Sequence, residues 1–237
     1  MRPNIIWFDC ATSTQDVARR FAARKTDVVI VANRQTRGRG RFGRVWESAP
    51  GGLWTSLLVF PNRDADSLHY INIIGALAVI KLLEDCDLGR GGIVWPNDVM
   101  IRGRKIAGVL TERLRSAVVC GIGVNVNQTV FPTTLSGATS LRLESKTEYS
   151  IPELLECLIG HFYSYYPRVL EAGTSDLVDE YRQYLTMTNT VVALNVGSRV
   201  ITGSLCDVDD EGRLVFRESN GVIRHLSCGQ VQRVRWS

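Results

Sequence analysis

Apolar and polar positions follow two textures along this chain, and the change comes near Met187. Before it, short apolar runs alternate with longer helical patterns. Residues 5–8 read as a short buried strand, and Val28-Val29-Ile30-Val31, β-branched throughout, predicts a central one. Residues 53–60, after the Pro50-Gly51-Gly52 turn, 93–95 and 118–126 predict further strands. Residues 99–101 and 105–111 predict a hairpin about Arg102-Gly103-Arg104. A helix is predicted from Ser13, with Asp16 at the capping-box position and Val17, Ala18 and Phe21 as its apolar stripe. Others are predicted over 66–85, 152–170 and 176–185. After Met187 come five short alternating segments, 190–194, 199–205, 213–216, 222–226 and 231–235, with Asn220-Gly221 as a tight-hairpin signal. The pattern predicts an α/β domain over 1–187 and a small β-barrel over 188–237.

Composition narrows the function classes. With 45% hydrophobic and 22% charged residues the chain is globular. The 28 Lys+Arg against 24 Asp+Glu give +4, too mild to announce a nucleic-acid or membrane-surface binder. The six cysteines are scattered without a CxxC pair, so neither a zinc site, nor any other metal site, nor a disulfide framework is expected. No apolar stretch reaches the ~20 residues of a membrane span, and the apolar run at the start is too short for a signal peptide. A soluble cytoplasmic protein with free thiols is expected.

The positive charge is uneven in kind and place. Only Lys25, Lys81, Lys105 and Lys146 are lysines, and five of the arginines (Arg34, Arg37, Arg39, Arg41, Arg44) fall in one eleven-residue segment without an acidic residue. Glycines there let backbone N–H groups approach an anion, and arginines add forked donors for phosphate or carboxylate. Gly38-Arg39-Gly40-Arg41-Phe42-Gly43 matches GxGxxG, but residues 45–52 cannot open the helix that a dinucleotide site requires. No GxxxxGK[ST] occurs. A basic surface loop or an RGG-like RNA contact are the competing readings of this segment alone.

Three further motifs stand out. In Trp95-Pro96-Asn97-Asp98 followed by Arg104-Lys105-Ile106-Ala107-Gly108, a two-residue Arg102-Gly103 turn would set Lys105 opposite Met100 and Asp98 opposite Ala107. Asp98 and Lys105 would then share a face, whereas a three-residue turn would separate them. Gly121 and Gly123 sit inside a strand, where glycine marks a bulge, tight packing or a close approach to the backbone. Ser13-Thr14-Gln15 at a helix start reads as ordinary N-capping before it reads as a binding motif.

Taken in order, Ser13-Thr14-Gln15, Gln35 with Gly38 to Trp46, Trp95-Pro96-Asn97-Asp98-Val99, Gly103 to Leu110 and Gly121-Ile122-Gly123-Val124-Asn125 resemble the biotin–protein ligase (biotin–[carboxyl-carrier] ligase) family. The resemblance implies a mixed central sheet with flanking helices, like the catalytic domain of class II aminoacyl-tRNA synthetases, and a small SH3-like C-terminal barrel. It implies that biotin's carboxylate attacks the α-phosphate of Mg2+-bound ATP, giving biotinyl-5′-AMP and pyrophosphate, and that a lysine of a biotin carboxyl-carrier domain then takes the biotin and releases AMP. By the same resemblance Lys105, Arg39 and Asp98 are the catalytic candidates. Ser13, Thr14, Gln15, Gln35, Gly38, Arg39, Gly40, Arg41, Lys105, Gly108, Gly121 and Gly123 would serve biotin. Arg41, Arg44, Trp46, Asn97, Asn125 and Arg235 would serve the nucleotide. Two positions depart from the family pattern: Val94, where a lysine usually precedes Trp-Pro-Asn-Asp, and Gln15, where an asparagine often follows Ser-Thr. The chain opens a dozen residues before Ser13, so no N-terminal winged helix-turn-helix, no DNA binding and no repressor role are expected, for a monomer or homodimer. A lipoate or octanoate ligase on the same fold, and an RNA-binding module, are the competing functions.

Overall fold

A computed structural model describes residues 3–61, 67–170, 175–188 and 190–236, with the side chains of residues 67 and 233–236 left out. Seven strands form the main sheet: β1 (Asn4–Ala11), β2 (Val28–Gln35), β3 (Gly52–Val59), β4 (Gly92–Val94), β5 (Asp98–Ile101), β6 (Arg104–Arg113) and β7 (Val118–Asn125). Their order is β1-β2-β3-β7-β6-β5-β4, antiparallel except for the parallel β1–β2 pair. The apolar run 28–31 is fully buried, as its composition demands, but it lies second from the edge; the central strand is β7. The first strand, by contrast, is largely not buried. It is the sheet's edge, and Trp7 on it is 42% exposed.

One face of the sheet is covered by α2 (Ser67–Asp85) and α4 (Ile151–Leu170), which pack on each other over β3, β6 and β7. Helix α2 is apolar around nearly its whole circumference from Ile71 to Leu83 because sheet and α4 enclose it. The predicted start of this helix, Asp66, lies outside the described residues. The short α1 (Thr14–Arg19) seals the other face with a small cluster of Ala18, Val28, Ile30, Leu58, Ala117 and Val119, onto which Val17 and Phe21 pack. Leu141 of a short α3 (Leu141–Ser145) and Leu177, Val178 and Tyr181 of an amphipathic α5 (Ser175–Gln183) join the main core with α2 and α4.

The remaining strands, β8 (Val191–Val196), β9 (Arg199–Val208), β10 (Leu214–Glu218), β11 (Ile223–Leu226) and β12 (Val231–Trp236), pair antiparallel in the order β11-β10-β9-β8-β12, consistent with an SH3-like unit. Its inward residues, among them Leu194, Leu205, Val208 and Phe216, belong to the same hydrophobic cluster as α2 and the main sheet.

The Trp95-Pro96-Asn97-Asp98 turn between β4 and β5 is held from three sides. Asn72 of α2 donates to the Pro96 carbonyl at 2.7 Å, and Tyr181 of α5 donates to it at 3.1 Å. Trp95 Nε1 donates to the Gly212 carbonyl of the C-terminal sheet at 3.2 Å. Buried polar groups are thus paired across elements, which fixes the turn where Asn97 and Asp98 leave it.

Candidate active site

Segments from α1, the arginine-rich loop, the β5–β6 hairpin and residues 128–138 enclose a cavity of about 340 Å3 over β6 and β7. Its floor is made of glycine. A Cβ on Gly121 would lie 3.0 Å from Cδ of Gln15, and one on Gly123 only 2.6 Å from Nε1 of Trp46. Gly108, paired with Gly123, would press Cζ3 of Trp46 at 3.0 Å. The strand glycines leave the room that an amide and an indole occupy against the sheet.

Ser13, Thr14 and Gln15 enter the cavity from the start of α1. Ser13 stands at the N-cap with extended backbone, but its hydroxyl makes no capping bond. No capping box forms, because the Asp16 carboxylate meets Arg39 at 3.0 Å instead. Ser13 Oγ is buried without a partner, as is Gln15 Oε1. Gln15 Nε2 donates to the Leu110 carbonyl at 2.9 Å, so the orphaned oxygen is the end left for a ligand. Gln35 accepts from the Thr14 N–H at 2.8 Å and from its hydroxyl at 3.1 Å, and donates to Ser48 Oγ at 2.8 Å. Thr14 and Ser56 hydroxyls are 2.7 Å apart. Gln35 and Thr14 line the cavity while their polar atoms bind each other and the sheet.

The arginine-rich segment folds back on itself. Gly40 N–H donates to the Arg44 carbonyl at 2.7 Å and Trp46 N–H to the Gly38 carbonyl at 2.9 Å. Phe42 and Gly43, at φ 55° and 72°, close the turn. No helix follows it, as expected. Its arginines diverge. Arg34 and Arg37 are exposed and leave the cavity, whereas Arg39, Arg41 and Arg44 line it. Arg39 is ion-paired to Glu112 at 2.8 Å as well as to Asp16. Arg41 donates to Asn97 Oδ1 at 3.2 Å, to the Val231 carbonyl at 2.8 Å and to the Cys228 carbonyl. Burial, the main cause, lowers its pKa from the ordinary arginine value. Gly38 lies off the cavity; it is packed against the Trp46 carbonyl and Ser48 Oγ, where no side chain fits.

The β5–β6 hairpin turns on two residues, Arg102 at φ 47° and Gly103 at φ 75°. Lys105 opposes Met100, as that turn length predicts, but an irregularity at Val99/Met100 sets Asp98 opposite Gly108 rather than Ala107. Asp98 and Lys105 share the cavity face and form a 2.6 Å ion pair. The Lys105 ammonium also lies 5.0 Å from the Trp46 ring centroid. Residues 137–139 fasten the lysine's backbone, through its N–H to Gly137 and its carbonyl from Thr139, both at 2.8 Å. Asn97 donates to the Val109 carbonyl at 2.8 Å, and Asn125 donates to Thr139 at 2.9 Å, so both amides brace the cavity that they line. Arg235 lies in β12, and its side chain is outside those described.

Sequence reasoning missed the cavity's outer wall, formed by Gln128, Val130, Phe131, Pro132, Leu135 and Ala138. The only signal was apolar residues in a stretch without periodicity; Val130 is 83% exposed and Leu135 37%. It also missed Glu112, the partner of Arg39.

The cavity therefore has two ends. Over Gly121 lies Gln15, whose buried side-chain oxygen is unpaired; over Gly108 and Gly123 lies Trp46, with Lys105 beside Gly108 and the indole. Gly121 and Gly123 are two residues apart, roughly 7 Å along the strand.

Comparison with known proteins agrees with this geometry. The family model described as biotin/lipoate A/B protein ligase matches residues 7–128. The chain is 30% identical to the bifunctional ligase/repressor BirA of Bacillus subtilis over 96% of its own length and 74% of that protein's. It is 28% identical to the biotin–[acetyl-CoA-carboxylase] ligase of Paracoccus denitrificans, covering 81% of this chain and 85% of the other. The biotin protein ligase of Aquifex aeolicus in complex with biotin and ATP superposes with a TM-score of 0.87 at 29% identity, over 99% of both chains. The chain belongs to the biotin/lipoate A/B protein ligase family.

Proposed function

We propose that the protein is an ATP-dependent biotin–protein ligase that forms biotinyl-5′-AMP and passes the biotin to a lysine of a carboxyl-carrier domain. The two-ended cavity is the observation that carries the reading. Biotin has a neutral ureido ring at one end and a carboxylate at the other. Ser13 Oγ and Gln15 Oε1 suit the first, and the Lys105 and Arg41 cations suit the second. In the first step the biotin carboxylate oxygen forms a bond to the α-phosphorus of ATP and pyrophosphate leaves. Two anions must meet, so the protein's part is positive charge and donors at the reacting centre. Lys105 leaves its ion pair with Asp98 to lie between carboxylate and phosphate. In the second step the carrier lysine's amine attacks the anhydride carbonyl, the acyl–oxygen bond breaks, AMP departs and the amine loses a proton.

Mg2+ would travel on the ATP phosphates and add positive charge there. Among the described residues no three His, Cys, Asp or Glu side chains are grouped to hold a metal ion; Asp98, once free of Lys105, and Glu47 would be the cavity carboxylates available to it. Residues 1–187 would carry both substrates and 188–237 would support them. A cytoplasmic setting suits the six unpaired cysteines, and no helix among the described residues is long and apolar enough to cross a membrane.

The test is exchange of labelled pyrophosphate into ATP with biotin or lipoate present, and mass analysis of a carrier domain. Biotin-dependent exchange and one biotin added to the carrier are expected, with exchange falling by about 100-fold in Lys105→Ala. Exchange driven by lipoate alone, or by neither acid, would refute the reading.

A further inference from the structure

Among the described residues, Arg41 is the arginine of the loop that hydrogen-bonds the C-terminal sheet. Its guanidinium bonds two backbone carbonyls, Cys228 and Val231, at the turn between β11 and β12, and the Asn97 side chain. All three acceptors are neutral. Among the described residues no carboxylate lies within ion-pair distance of Arg41, whereas Arg39 has two. Backbone carbonyls hold an arginine fork in place without cancelling its charge, so Arg41 keeps its positive charge at the edge of the cavity that it lines, where Asp98 is the carboxylate that feels it.

The turn is itself stapled. Gln230 Oε1 accepts from the Ser227 N–H at 2.8 Å and from its hydroxyl at 3.1 Å, and the Gln230 N–H returns to the Ser227 carbonyl at 3.0 Å. Gln230 is exposed and outside the cavity.

We propose that the stapled turn 227–231 is a positioning device: its carbonyls hold Arg41 at the cavity, so the turn sets the geometry of the adenylating site through Arg41. Gln230 is then a positioning residue acting through Arg41. This rests on the ligase reading for its assay.

The test is a double-mutant cycle. Biotin-dependent pyrophosphate exchange is measured in the wild type, Gln230→Ala, Arg41→Ala and the double variant, with melting temperatures as the control for folding. Gln230→Ala is expected to lower exchange by about three- to tenfold in the wild-type background and to change nothing further once Arg41 is alanine. The same factor in both backgrounds, or an unchanged rate in Gln230→Ala, would overturn the proposal. Absence of biotin-dependent exchange in the wild type would instead strike the ligase reading.

Discussion

Arg39 and Arg41 are two residues apart in the same loop, yet they meet opposite electrostatic surroundings. Arg39 offers its charge to Asp16 and Glu112, and Arg19 also meets Glu112 at 2.9 Å, so this corner is a closed ion network. Counting arginines by sequence gives the loop +5, but the charge that reaches the cavity is set by which of them already has a carboxylate. Asp16 was legible as a helix-start residue and misread as a cap, because residue type and spacing are the same for both duties. The floor glycines were legible as an anomaly in a strand, though not in what they make room for. Their role predicts the outcome of Gly123→Ala: the added methyl displaces Trp46 from the floor and Lys105 loses its aromatic neighbour. Biotin-dependent exchange should fall by about 10–100-fold, since displacements near 1 Å cost that much in a pre-organised site. Exchange at the wild-type rate would mean that the indole has no part in the site.

The element that delivers Lys105 and Asp98 is the β5–β6 hairpin. Arg102 of its turn and Arg104 at the start of β6 are gathered by Glu144 of α3, at 2.8 and 2.6 Å, and Thr139 donates to the same carboxylate at 2.5 Å. Burial alone would raise the Glu144 pKa; these hydrogen bonds and the two arginine charges outweigh it and hold the group below its ordinary 4.5. A carboxylate lowered in the folded state stabilises the protein above its unfolded pKa and ceases to do so as pH falls through the folded one. Glu144→Gln should therefore cost about 1–3 kcal/mol near neutral pH, with the gap to wild type closing below about pH 4, as read by urea unfolding at both. A gap that does not depend on pH would show that the charge is immaterial. The hairpin was readable from Gly103 and its flanking strands, but the sequence left its turn length open, and with it the pairing of Asp98 with Lys105. Glu144 was not readable as the anchor of the hairpin, since Arg102 and Arg104 lie about forty residues away in sequence, and the wall at 128–138 has no periodic pattern.

At the scale of the whole molecule, the break in texture at Met187 located the second sheet well, strand for strand. What patterning could not carry is how closely the two sheets are joined. Arg182 of α5 donates to the Val208 carbonyl at 2.7 Å and is paired with Asp210 of the C-terminal sheet at 2.8 Å and with Asp179 at 2.6 Å. Arg182→Ala should lower stability by about 1–2 kcal/mol, or roughly 2–8 °C in Tm, within a single calorimetric transition. Two resolved transitions would show sheets that unfold separately. The shared core has a consequence for anyone who would build hybrids from this protein. The last fifty residues are not a portable cassette. A C-terminal sheet transplanted from a relative must bring carbonyls to the guanidinium of Arg41, an acceptor to the indole of Trp95 and partners to Arg182, or the graft will fold beside an active site that it no longer sets.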